Sequence, residues 1–584
     1  MIEEDFNKKI QLFLFSFLIV FAGTQLAQKR KNVLFIVVDD LKPNLGCYGD
    51  TFAISPNIDR LAAEGTVFTN NHCQQAVCAP SRASLLTGYR PDRTKVWDLK
   101  TLIRDQNPDI ITLPQYFKQN GYQTTGTGKV FDPRSVDDKL DEPSWSIPYS
   151  DVHGKRWIIS DEKVSTESSE IPEEQYTDGL IVAKGIELME NLTEGDKPFF
   201  LAIGFKKPHL PFVAPQKYWD LYNRDSIKIA SYQKHALNSP SYVYTNSGEL
   251  RNNYIDIPQS GEISIDKQKE LIHGYYACVS FIDAQIGKLL DKVDSLGIKD
   301  NTIIVLWGDH GWHLGDHAQW TKHTNFEQAT RSPLIFYVPE ITGGKINNSP
   351  TEFVDVFPTL CELTGIEVPK DRPGKSLVSI INGSADKVKD FAVSQYKKGG
   401  YEGYSIRTEQ YRYTEWIELD YREGKIPYNE NIVHDRELYD YKNDPLETVS
   451  LVNDTSYKNI LDSLKLFLSD FLIHQFDIPI SVEKAKEGKV YPKEFKINNY
   501  PNPFNPSTTI EYTLPLNTKR KMQNVKLVVY DILGKEVTTL VNKKQKPGVY
   551  KVHFNANNLP SGVYFYKINV VGKFNQIRKM IIIK

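Results

Sequence analysis

Asn32-Val33-Leu34-Phe35-Ile36-Val37-Val38-Asp39-Asp40 reads as a strand that is apolar at nearly every position and ends in two carboxylates. An unbroken β-branched and aromatic run, without polar alternation, belongs to a strand covered on both faces, as in a parallel sheet. Downstream, Ser55-Pro56 opens a helix that Gly65 closes, with serine as cap and proline at the first helical position. The rhythm recurs: Phe199–Phe205 is a second apolar run, residues 275–296 have helical spacing, and residues 302–307 form a strand that delivers Gly308-Asp309-His310. Strands alternating with helices predict an α/β fold, a large mostly parallel sheet flanked by helices. Ligands in such folds collect at the carboxyl ends of the strands. Two acidic clusters, Asp39-Asp40 and Asp309, stand at such ends.

The chain has 584 residues, 40% hydrophobic and 25% charged, which excludes a disordered polymer and leaves length for several packed units. Five cysteines are too few for a disulfide framework. The total charge of -2 hides an asymmetry: residues 491–584 hold 16 Lys/Arg against 4 Asp/Glu, so the tail is a physically separate unit. No nucleic-acid recognition motif accompanies that charge, and no nucleic-acid partner is expected. At the start, Lys8 and Lys9 precede an apolar run over residues 10–22 and then small or polar residues, the pattern of a signal peptide over residues 1–27. The run is short for a bilayer span. No other stretch is apolar enough, so a mature protein without a transmembrane span is expected.

After residue 366 the texture changes to short Tyr- and charge-rich segments, predicting that the large α/β domain (28–365) is followed by a smaller α+β subdomain (366–490). From residue 495 to 584, β-rich runs at 525–530, 549–554, 563–570 and 577–583 are separated by turns such as Lys546-Pro547-Gly548 and Pro560-Ser561-Gly562. Short strands at this spacing predict an appended β-sandwich.

The chemistry centres on Cys78-Ala79-Pro80-Ser81-Arg82-Ala83-Ser84-Leu85-Leu86-Thr87-Gly88. Pro80 and Gly88 bracket a helix, placing Cys78 at an N-terminus that favours an anion, with Arg82 one turn on as a fork for oxyanions. The plainer alternative is a small buried cysteine before a short helix. Asp39, Asp40 and Asp309 are too repulsive to gather uncompensated, and their hard oxygens suit Ca²⁺, with Mg²⁺ as the alternative.

These residues resemble a known family. C-x-P-S-R followed by A-S-L-L-T-G is the signature of the type I sulfatases, alkaline-phosphatase-like enzymes whose cysteine a formylglycine-generating enzyme converts to an aldehyde before export. The likeness extends over residues 30–470, through Ser55-Pro56-Asn57-Ile58-Asp59, Gly128-Lys129, Pro208-His209-Leu210-Pro211, Gly308-Asp309-His310-Gly311-Trp312 and Glu437-Leu438-Tyr439-Asp440. Gln75-Ala76-Val77, His310 and Lys322 with Asn325-Phe326 are most similar to the iduronate-2-sulfatase group. The resemblance implies Ca²⁺ on Asp39, Asp40, Asp309, His310 and the modified Cys78. It also implies attack by the hydrated aldehyde on sulfur, with Arg82, Lys129 and Lys322 neutralising sulfate oxygens and His209 protonating the leaving oxygen. One position departs: related enzymes carry a histidine shortly after the Gly-Lys lysine, whereas Gly128-Lys129-Val130-Phe131 is followed by Asp132. A carboxylate base at Asp132 is expected instead. Trp312, His313, His317, Trp97 and Arg104 are candidates for sugar contacts, because aromatic faces and cations suit an acidic ring, while core packing is expected of the tryptophans.

In the tail, Asn499-Tyr500-Pro501-Asn502-Pro503-Phe504-Asn505-Pro506, Val529-Tyr530-Asp531-Ile532-Leu533-Gly534 and Leu559-Pro560-Ser561-Gly562-Val563-Tyr564 resemble the type A sorting domain of the bacterial type IX secretion route. With the signal, this implies passage through the periplasm, contact with the type IX machinery, and release or attachment at the outer surface. The expected substrate is a sulfated oligosaccharide of glycosaminoglycan or ulvan type, including 2-O-sulfated uronic acid. Two other functions use the same residues: a phosphonate monoester or phosphodiester hydrolase, and a catalytically silent surface protein that binds glycans.

Overall fold

The computed structural model describes residues 30–475, 495–515, 523–546, 548–570 and 574–583. The signal expected over residues 1–27 lies outside them. The chain divides into two compact units at residue 480.

In the first unit, the described residues form a sheet of seven strands: β1 (Asn32–Val38), β2 (Thr66–Phe68), β3 (Gln123–Gly128), β4 (Phe199–Phe205), β5 (Thr302–Gly308), β6 (Leu334–Tyr337) and β7 (Lys345–Asn347). Their order is β7-β2-β6-β5-β1-β4-β3, and only β6 runs against its neighbours. Four helices matter for the site: α1 (Pro56–Glu64), α2 (Cys78–Thr87), α3 (Thr177–Thr193) and α4 (Ile265–Ser295). Leu34, Ile36 and Val38 face a core shared with Ile58 of α1, Ile181 of α3 and Ile282 of α4. Val33, Phe35 and Val37 face a second core with Leu85 and Leu86 of α2. Both faces of β1 are therefore covered, which is why its sequence shows no alternation.

Two expectations shift. Helix α4 begins at Ile265 rather than near Tyr275, because Ser264 caps it by accepting from the Lys267 N–H. Its first turns carry Asp266, Lys267, Lys269 and Glu270, whose polarity masks the apolar spacing. Ser55 does occupy the N-cap position of α1, yet its hydroxyl caps nothing. Asp283 of α4 does the work instead, accepting from the N–H groups of Asn57 (3.1 Å) and Ile58 (2.8 Å).

A four-stranded antiparallel sheet follows, with β8 (Ala392–Lys398), β9 (Tyr401–Arg407), β10 (Tyr411–Glu418) and β11 (Val433–Asp440) in sequential order. Helix α5 (Lys458–His474) lays Leu464, Leu468 and Leu472 on Tyr404, Ile406 and Tyr413. Beyond residue 366, Leu377, Ile380 and Ile381 are buried with Ile366 in the core of the large sheet.

The second unit packs two antiparallel sheets around one core. The first joins β12 (Lys496–Tyr500), β13 (Ser507–Leu514) and the strand Gly548–Asn555; the second contains Gln523–Tyr530, Glu536–Gln545, Gly562–Val570 and Phe574–Ile582. Ile497 and Ile510 from one sheet meet Leu527, Val529 and Ile568 from the other, the sandwich expected from the alternation.

Candidate active site

The register of the sheet builds the site. Val38 lies level with Gly308 of β5 and Phe205 of β4, so these strands end together. The ladder runs one residue further: Asp309 N–H donates to Val38 O, Asp39 N–H to Phe205 O and Lys129 N–H to Gly204 O (2.7 Å). Asp39, Asp309 and Lys129 thus emerge side by side. Glycine is required where β3 meets β4, because a Cβ on Gly204 would lie 2.1 Å from the Lys129 carbonyl carbon, and Gly128 has φ +77°. Asp40 turns the chain away with φ +58°, in the left-handed region that aspartate tolerates better than most residues.

Arg82 is the centre of the cluster. Its Nη2 donates to Asp39 Oδ1 and its Nε to Asp309 Oδ2, both at 2.9 Å, while Nη1 donates to the carbonyls of Lys129 and Val130. It is fully buried and does not line the cleft. The contact with sulfate oxygens expected of Arg82 is therefore replaced by a positioning role, since its donors are taken up by two strand-end carboxylates and a loop.

Lys129 Nζ lies 2.6 Å from Asp39 Oδ2, and Lys322 Nζ lies 2.9 and 3.1 Å from the two oxygens of Asp40. Burial alone would raise the Asp39 pKa, but Lys129 and Arg82 outweigh it and hold the carboxyl well below the usual range. Asp309 accepts from the Asp40 N–H at 2.9 Å. His310 Nδ1 donates to Gly311 O (3.0 Å), which orients the ring so that Nε2 lies 3.3 Å from Cys78 Sγ, 3.5 Å from Asp40 and 3.6 Å from Asp309. Ligand atoms of Asp39, Asp40, Cys78 and His310 all lie within 4.8 Å of one another. The carboxylates provide hard donors for a divalent cation, whereas the Cys78 sulfur is a soft one. An oxygen in its place would complete an oxygen-rich set.

Cys78 starts α2, as expected, and is buried. Burial, reinforced by Asp39, pushes its thiol pKa well above the ordinary value. The helix N-terminus does not overcome this, so the unmodified sulfur stays protonated and is a poor nucleophile.

His209 lies on the loop after β4, where Nδ1 bonds to Leu210 O (2.7 Å) and Nε2 is 3.1 Å from Glu249 Oε1. Both ring nitrogens face acceptors, the arrangement of a ring with a proton to give. Glu249 also accepts from Lys322 at 3.1 Å. Sequence reading missed Glu249, which sits in no motif and reaches Lys322 across 73 residues. Burial would raise its pKa, yet Lys322 and His209 together hold it well below the carboxylate range.

Asp132, expected to act as a base, is fully buried and accepts from Arg134 Nε (2.8 Å) and Nη2 (2.7 Å), with Lys129 Nζ at 3.7 Å. Although burial raises its pKa, Arg134 and Lys129 lower it far more, below the carboxylate range. Asp132 thus sits with both oxygens bound by Arg134, and a carboxylate held so firmly in its ionised form is a weak base. Trp312 and His313 are buried, Trp97 donates to Asp92, and Arg104 is bound to Asp141; none of them, nor His317, lines the cleft.

Cys78, Lys129, Asp132, His209, Glu249 and Lys322 share one cleft of about 790 Å³, whose wall also carries Lys155, Arg156, Lys206 and Lys207. Beside it, Asp178 in the first turn of α3 accepts from the Lys206 N–H at 2.6 Å. Burial raises its pKa to about 6 despite that bond. Because the unfolded chain releases this proton near pH 3.8 and the native state keeps it to about 6, the stabilisation is complete below pH 3.8 and is lost as pH rises through 6. Asp178→Asn keeps the acceptor and removes the charge, so it is expected to stabilise the protein at pH 7.5 by up to about 3 kcal/mol, with no gain at pH 4. Thermal unfolding at the two pH values checks this, and an equal effect at both would refute it.

The fold and the buried meeting of carboxylates, cations and a cysteine at the start of a helix define a hydrolase that works on oxyanion esters. The chain belongs to the sulfatase family. The family profile described as Sulfatase matches residues 31–366, that of the N-sulphoglucosamine sulphohydrolase C-terminal region residues 315–473, and that of the secretion system C-terminal sorting domain residues 498–584. The chain is 34% identical over 505 residues to iduronate 2-sulfatase of Homo sapiens, covering 73% of this chain and 91% of that protein. It is likewise 34% identical over 460 residues to a sulfatase of Formosa agariphila, covering 75% and 86%. A protein solved in complex with its substrate D-glucosamine-2-N,6-O-disulfate shares the fold, with a TM-score of 0.63, 22% identity and coverage of 77% of this chain and 99% of that one. The protein is thus a sulfatase, a hydrolase of sulfate esters, carrying a secretion sorting domain. Among the described residues no helix is long and apolar enough to cross a membrane.

Proposed function

We propose that the protein removes sulfate esters from oligosaccharides of a sulfated polysaccharide that contains uronic acid, including 2-O-sulfated uronic acid, after export by the type IX route to the cell surface or beyond. The observation that carries the reading is the single cleft in which Cys78, Lys129, His209 and Lys322 meet beneath a wall of further lysine and arginine side chains. Such a surplus of cations suits a polyanionic sugar. The identity to iduronate 2-sulfatase supports the uronic acid.

Asp39, Asp40, Asp309 and His310 would hold Ca²⁺, which supplies Lewis-acid polarisation of sulfate oxygens. The site fits a hard cation once Cys78 carries oxygen as formylglycine, whose hydrate supplies the nucleophile. Lys129 and Lys322 then turn from the strand-end carboxylates toward the sulfate and neutralise its oxygens. Arg82 keeps Asp39 and Asp309 in place throughout. His209 hands the proton on Nε2 to the sugar oxygen as it leaves, and Glu249 keeps that ring oriented.

The test is peptide mass spectrometry across Cys78 coupled to sulfate release from ulvan and heparan oligosaccharides, with an aryl phosphodiester as control. An aldehyde mass with release from a uronic-acid sulfate is expected; an aldehyde mass with turnover of the phosphodiester alone would overturn the reading. For His209→Ala, kcat on a sugar sulfate should fall about 10²–10⁴-fold. An aryl sulfate, whose phenolate leaves without a proton, should lose far less. Equal losses on both substrates would exclude His209 as the acid.

A further inference from the structure

The Asp132–Arg134 pair has a geometry that a lone base would not need. Asp132 is fully buried, and both of its oxygens face one edge of the Arg134 guanidinium, which the Arg134 backbone N–H reinforces at 3.1 Å. Such a fork fixes the guanidinium plane. Arg134 itself is half exposed, at 51%, and lines the cleft that holds Cys78 and Lys322. A guanidinium has five donors. Asp132 occupies Nε and Nη2, and among the described residues Nη1 makes no hydrogen bond. A cation locked in orientation, with donors still open toward the substrate space, is a ready receptor for a planar oxyanion.

We propose that Arg134, held by Asp132, is a specificity-determining residue that binds the carboxylate of the substrate's uronic acid. The proposal rests on the functional reading above and deepens it: the sulfate goes to the lysines over Cys78, and the second anion goes to Arg134. Asp132 is the positioning residue in this arrangement. Its replacement of a basic side chain is then no loss of function, because the positive charge is handed on to Arg134 and aimed outward.

The test compares Arg134→Gln and Arg134→Lys with the converted wild-type enzyme on two substrates, a disaccharide carrying 2-sulfated uronic acid and its carboxyl-reduced counterpart. For Arg134→Gln the ratio of kcat/KM, acid over alcohol, should fall about 10- to 100-fold, the worth of one charge-assisted pair. Arg134→Lys should recover part of it, keeping charge without the fork. Because Arg134→Gln leaves Asp132 buried without its partner, the double variant Asp132→Asn/Arg134→Gln repeats the comparison with the charge pair removed together. An unchanged ratio in both overturns the proposal. Calorimetric titration of the acid disaccharide into protein with unconverted Cys78 separates the two readings. If the wild type binds more tightly than Arg134→Gln yet converted enzyme releases no sulfate, the reaction assigned above fails and the carboxylate contact stands. Equal affinities, or binding by neither, overturn the contact.

Discussion

Replacing Arg82 with methionine is expected to destabilise the catalytic unit by about 3–5 kcal/mol, the loss that follows when one partner of a buried ion cluster is removed. Arg82, Asp39 and Asp309 are each at most 2% exposed at the side chain, so no water can replace the lost donors. Asp39 would keep Lys129 as a partner, but Asp309 would lose its 2.9 Å bond from Nε and keep the Asp40 N–H and His310 at 3.6 Å. The carbonyls of Lys129 and Val130 would lose their donor as well, loosening the loop that carries Asp132. A fall in Tm of about 3–5 °C should be read by calorimetry, because a unit this large unfolds with a large entropy. Arg82→Lys, which keeps the charge but not the fork, should fall between. A change of less than about 1 kcal/mol for Arg82→Met would show that the carboxylates find other partners, and the central place given to Arg82 would be wrong.

The second large effect concerns Cys78. Cys78→Ala should reduce sulfate release to background, a loss of at least about 10⁴-fold, as expected when a nucleophile acting with its neighbours is removed. The sharper expectation is for wild-type protein made without conversion of the cysteine. Burial raises the thiol pKa well above its ordinary value, so at neutral pH this sulfur is a poor nucleophile. Unconverted protein should therefore be as inactive as Cys78→Ala, and activity across preparations should rise in proportion to the aldehyde fraction found by mass spectrometry. Turnover that persists in fully unconverted protein would show the thiol itself at work and sink the assignment. Neither form should differ much in folding, because among the described residues the hydrogen bonding of Sγ is limited to the 3.3 Å contact with His310.

These expectations divide according to what was local in the chain. The strand Asn32–Val38 with its terminal Asp39-Asp40, the helix from Cys78 to its glycine stop, and four of the seven described sandwich strands were legible, because each is set by the period and punctuation of a short stretch. So was the gathering of Asp39 and Asp309, since neighbouring parallel strands must deliver their ends to one edge. The start of α4 was misplaced where outward-facing charges diluted the period.

What the sequence alone determined is therefore the set of elements and the edge of the sheet to which Asp39, Asp309 and the start of the Cys78 helix are delivered. Only the tertiary structure decided which charges face one another. Arg82 turned inward to Asp39 and Asp309, Glu249 joined Lys322 to His209, and Asp132 took Arg134 as a partner rather than a proton as a base. The physical reason is range. Secondary structure follows from contacts within a turn or a pleat, whereas the state of a buried charge is set by whichever partner the fold brings within about 3 Å, here from as far as 282 residues away in the Lys322–Asp40 pair.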